Sequence, residues 1–72
     1  MEIIRIGQQI TTDDGFIQVI GRQDEGHVIV NVYEEEGSCY PSLAQANVCW
    51  TLEELAAQMK AYDGKDHVIR LG

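Results

Sequence analysis

The stretch Phe16-Ile17-Gln18-Val19-Ile20-Gly21-Arg22-Gln23-Asp24-Glu25-Gly26-His27-Val28-Ile29-Val30-Asn31-Val32-Tyr33 decides the fold. It reads as two β-branched runs, Phe16 to Ile20 and His27 to Tyr33, separated by a polar turn from Gly21 to Gly26. Branching at Cβ restricts χ1, which suits a pleated strand and slightly penalises a helix. The bias extends outward. Of eight Ile and six Val, eleven fall in the first 32 positions and none lies between Thr51 and Asp63. The N-terminal half is therefore expected to be sheet. Glu2 to Ile6 reads as a strand preceding these two, Asp13-Asp14-Gly15 as a turn, and Glu34-Glu35-Glu36-Gly37 as the end of the third strand. Turn signals recurring about every ten residues mark an antiparallel meander. Gly37 to Tyr40 reads as a short fourth strand stopped by Pro41, which has no N–H to give a ladder. Positions 41 to 49 read as a loop, with Val48-Cys49-Trp50 as a few extended residues.

A helix follows. Thr51 is a good N-cap, and Glu54 three residues later completes a capping box. Trp50 and Leu55 sit where a hydrophobic staple forms. Glu53 and Glu54 suit the positive end of the helix dipole. Leu52, Leu55, Ala56, Met59 and Tyr62 form one apolar stripe at helical spacing, read as contact with the sheet. Gly64 closes the helix at C′. His67 to Leu71 reads as a final strand. The expected fold class is α+β: an antiparallel meander of three to four strands, one capped helix and a C-terminal strand, in a single small domain over residues 1–72.

Alternation exposes a difficulty. Ile17 and Val19 point one way from their strand, while Phe16, Gln18 and Ile20 point the other. In the next strand Val28, Val30 and Val32 oppose His27, Ile29, Asn31 and Tyr33. Neither strand has the apolar-in, polar-out pattern of a sheet wetted on one side. One helix of about 12 residues spans about 18 Å and shelters a single face. Each large apolar side chain left wet forgoes roughly 1.5–3 kcal/mol. Three or four of them match the whole stability of a domain this small. Residues 38–50, closure of the sheet into a small barrel, or another molecule must cover the second face.

Composition bounds the remainder. With 44% hydrophobic and 24% charged residues, the chain is expected to be globular and soluble. Apolar runs reach only three residues, as in Val28-Ile29-Val30, too few for a membrane-spanning helix. Met1-Glu2 opens on an acid with no apolar h-region behind it, so no secretion signal is expected. Cys39 and Cys49 are too few for a disulfide framework, and neither Asn31-Val32-Tyr33 nor Asn47-Val48-Cys49 is a glycosylation sequon. A cytoplasmic protein with reduced thiols is the expectation.

The net charge of −7 comes from acids grouped at Asp13-Asp14, Asp24-Glu25, Glu34-Glu35-Glu36 and Glu53-Glu54. In a meander the first and third groups share one end of the sheet and the second takes the other. Solvated turns explain them. A mimic of the phosphate backbone wants one continuous acidic face instead. Arg5, Arg22, Lys60, Lys65 and Arg70 form no basic stripe, so direct nucleic-acid binding is not expected. His27, Cys39, Cys49 and His67 lack the paired close ligands of structural zinc. Cys39 with a histidine has no recognisable orienting group or oxyanion motif. Asp13-Asp14-Gly15 lacks the distal ligands of a calcium loop. No phosphate or dinucleotide glycine motif is present. No catalytic residue, metal or cofactor is expected.

The reading that results is a small acidic, non-catalytic binding or regulatory module. It acts through protein–protein contacts, with a homodimer as one form. The candidate partner-binding residues are Tyr33, Glu34, Glu35, Glu36 and Tyr40, because aromatics are enriched at binding hot spots and the acids form the turn between them. Two alternatives stand beside it. One is an acidic inhibitor or nucleic-acid mimic that docks on a basic protein. The other is a small-molecule-binding or enzymatic domain with its site at a dimer interface.

Overall fold

The computed structural model describes residues 1–35 and 41–72. Its elements run β1 (Glu2–Ile4), β2 (Gln9–Thr11), β3 (Gly15–Asp24), β4 (His27–Glu35), β5 (Pro41–Thr51), α1 (Leu52–Asp63) and β6 (Ile69–Leu71). Strands β2-β3-β4-β5 form an antiparallel sheet in that order, and β1 pairs with β6 in parallel. The α+β class, the antiparallel meander, the capped helix and the C-terminal strand are all present.

β1 and β6 are shorter than the strands read at 2–6 and 67–71, and they pair with each other outside the meander. Three other elements differ from the sequence reading. β3 continues through Gly21, Arg22 and Gln23 to Asp24, so the turn is only Glu25-Gly26. Asp24 Oδ1 fixes that turn by accepting from Gly26 N at 2.8 Å. Gln9–Thr11 is a short strand whose one buried side chain, Ile10, was too little signal to read. Most of all, the expected loop at 41–49 is strand: β5 pairs with β4 along its length. Pro41 opens that strand, where its missing N–H is tolerated, instead of stopping one before it. The short strand expected at Gly37 to Tyr40 lies outside the described residues.

The core lies between the sheet and a second layer made of α1 and the β1–β6 pair. Ile10, Ile17, Val19, Val28 and Val30 from the sheet meet Leu55 from the helix and Ile4, Ile69 and Leu71 from the pair. Val32, Val48, Trp50, Leu52, Ala56 and Met59 pack around them. Thr51 caps the helix as expected, with Oγ1 accepting from Glu54 N at 3.0 Å. Gly64 ends it at φ 72°, donating its N–H to Lys60 O at 2.7 Å. Gly15 has a different reason to be glycine: a Cβ there would collide with the Tyr33 carbonyl on β4.

Candidate functional site

The helix and the β1–β6 pair cover one face of the sheet. No described helix or strand lies over the other face. Register sorts that outer face into three rows. Thr11, Phe16, Tyr33 and Leu43 are successive cross-strand neighbours and form the first. Gln9, Gln18 and Asn31 form the second. Ile29 and Cys49 pair in the third, with Ile20 and Gly21 of the β3 bulge opposite Ile29. None of the side chains in these three rows is charged; beyond the third row the same face continues to His27, which pairs with Asp24 and lies opposite Thr51.

Phe16 and Tyr33 stack with ring centroids 4.6 Å apart and planes 21° from parallel. Such a pair is worth about 0.5–1.5 kcal/mol beyond its area. Lateral packing leaves Phe16, Ile20, Ile29 and Tyr33 partly buried, so they are less wet than alternation alone implied. Leu43 beside Tyr33 remains 52% exposed. Cys49 is exposed as well.

The acids divide as the meander predicts. Asp13, Asp14 and Glu34 line one pocket at the end near Tyr62, and Asp24 and Glu25 lie at the opposite hairpin. Of the candidate partner residues, Tyr33 belongs to the aromatic row and Glu34 to that acidic end. Glu36 and Tyr40 lie outside the described residues, as does the side chain of Glu35. The partners of Tyr33, namely Phe16 and Leu43, were not singled out from sequence. Phe16 was readable by alternation, whereas Leu43 sat in a presumed loop.

A second cluster holds His67. Its side chain is only 6% exposed, between two carboxylates. Nδ1 lies 2.9 Å from Glu2 Oε2, and Nε2 lies 3.0 and 2.9 Å from the two oxygens of Asp63. Carboxylates only accept, so the imidazolium, with both ring nitrogens donating, is the form that satisfies both contacts. The Asp63 hydrogen bond, then that of Glu2, raises the His67 pKa against the opposing effect of burial. Asp63 is held below its ordinary value by the Lys65 N–H and then by His67. The cluster ties the start of β1 and the end of α1 to the segment entering β6.

Beside it runs an open groove of about 710 Å³, lined by Leu52, Ala56, Val68 and Ile69 with Thr51 and His67. Thr51 Oγ1 caps the helix and both His67 nitrogens face carboxylates, while Glu53 also lines the groove at its helix end. His27 pairs with Asp24 instead, at 2.8 Å. Among the described residues no three His, Cys, Asp or Glu side chains are grouped to hold a metal ion. No described helix is long and apolar enough to cross a membrane. The chain matches no protein-family model, no curated protein and no solved structure.

Proposed function

We propose that this protein is a small non-catalytic binding module that acts through protein–protein contacts at the outer face of its sheet. The observation that carries the reading is the uncharged three-row face, with the Phe16–Tyr33 stack at one end and no described element over it. Aromatic groups held rigid by a neighbour lose little entropy on binding, which is why they anchor interfaces. Tyr33 connects this face to the partner-binding residues read from sequence, whereas Glu34 alternates to the helix side, beside Val32 and Gln58. The acidic-inhibitor alternative draws support from Asp13, Asp14 and Glu34 at one end, but Asp24 and Glu25 sit at the other, so no continuous acidic face results. A site at a dimer interface would need convergent polar groups that are not already paired.

The test is site-specific photo-crosslinking in the cells of origin. A photoreactive residue at Gln18, in the middle row, is expected to give protein adducts. The same residue at Gln58, on the exposed side of α1, is expected to give none. Absence of adducts at Gln18 would overturn the reading.

A further inference from the structure

We infer that the partner for this face is a second copy of the same chain, packed sheet on sheet about a two-fold axis along the Gln9-Gln18-Asn31 row. The inference rests on the reading of the outer face as a protein-binding surface.

Charge is the first argument. The chain carries −7, yet the three rows carry no charge at all. A basic partner would find its complement on the acidic ends and not on this face. Across these three rows a second copy meets no like charge, and the acids face one another only at the rim.

Hydrogen bonding is the second. A primary amide both donates and accepts, so a row of amides complements an identical row. Asn31 already commits its Oδ1 to Asn47 N at 3.0 Å, which leaves its amide hydrogens to be used. An isologous contact requires this kind of self-complementarity. With the axis along the amide row, Gln9 and Gln18 meet their counterparts. The aromatic row Phe16-Tyr33-Leu43 then falls on Ile20, Ile29 and Cys49 of the second copy. Large rings against branched aliphatics interdigitate at the roughly 10 Å spacing of stacked sheets.

Size is the third. The Cα extents are 35 × 26 × 15 Å, so the molecule is a slab two layers thick. The broad side of the whole slab is about 900 Å² in outline, the upper bound on what one face can give, and a standard interface takes about 800 Å² from each partner.

The sheet edge is a poorer route to a dimer. β5 is the long edge strand, but its pairing slips twice, and Asn47 stands at φ 53°. Such irregularities interrupt the row of backbone groups that an added strand would need. β2, at the other edge, has only three residues.

The acidic ends of the two copies lie over one another at the rim of this dimer. Salt therefore strengthens it by screening that repulsion, whereas salt weakens docking on a basic protein.

The experiment is sedimentation equilibrium of the intact chain from micromolar to millimolar concentration, at low and high salt. A monomer–dimer equilibrium that tightens with salt is expected. Ile29→Lys should weaken it by at least about tenfold. Gln18→Lys, at a partly exposed position that does not threaten folding, should do the same. Gln58→Lys, on the helix side, should leave it unchanged. A strict monomer at millimolar concentration overturns the dimer, as does a dimer indifferent to both face lysines. A monomer whose Gln18 still crosslinks to a different protein sinks the dimer alone. A monomer with no adduct sinks the binding reading too.

Discussion

His67 shows how one side chain can join distant parts of a small chain. Its two nitrogens reach Glu2 and Asp63, one at the chain's start and one at the end of its helix. The sign of its pH dependence follows from the raised pKa. Where the folded pKa exceeds the unfolded value near 6.5, the stabilisation is fully present below 6.5 and lost as pH rises through the folded pKa. Asp63 and Asp24 are depressed and behave oppositely: their stabilisation is present above the ordinary aspartate value and lost as pH falls through the folded one. The clasp is thus intact from above the aspartate range up to the raised histidine pKa. Urea midpoints measured from neutral to mildly alkaline pH should fall for the native chain and stay flat for His67→Gln. A native midpoint that does not fall would refute the clasp. In the sequence, His67 stood out only as a poor zinc ligand. Its carboxylate partners are 65 and 4 positions away, and nothing local signals the first of them.

Among the elements, the helix was the most legible because its ends are set by chemistry within a few residues. Thr51 and Gly64 act where they were expected to, with the Glu54 N–H as the donor to the cap. Thr51→Ala should cost about 1 kcal/mol, read as a lowered urea midpoint with unchanged slope. An unchanged midpoint would mean that Oγ1 contributes nothing. β5 was illegible for the opposite reason. Pro41, Ala44, Ala46 and Asn47 are weak strand formers, and the two slips in pairing break the period of two. Thus Gln45 and Val48, three apart, pair with Val32 and Val30, which are two apart. The strand exists because β4 offers it a ladder, an instance of context outweighing propensity.

For the whole molecule, the governing fact is the ratio of sheet surface to helix. One 12-residue helix and a three-residue strand pair build a second layer over one face of a four-stranded sheet. A second copy on the other face would bind the native state and not the unfolded one, stabilising it by mass action. The thermal midpoint is therefore expected to rise with chain concentration, followed by circular dichroism or calorimetry. The Ile29→Lys variant should show no such rise. A native midpoint independent of concentration across the range where dimer forms would contradict the linkage.

Alternation and capping were enough to determine the class of fold, the opposed faces of β3 and β4, and both ends of α1, because those properties depend on neighbours a few bonds away. Tertiary structure alone decided which face became the core. The helix leaves β5 at Thr51 without a linker, on the side to which Trp50 and Val48 point. Ile17, Val19, Val28 and Val30 were buried for that reason, and Phe16, Ile20, Ile29 and Tyr33 were left outside. The parallel pairing of β1 with β6 and the Glu2–His67–Asp63 clasp also had to wait for it. Contacts between the two ends of a chain depend on how everything between them folds, and no local pattern encodes that path.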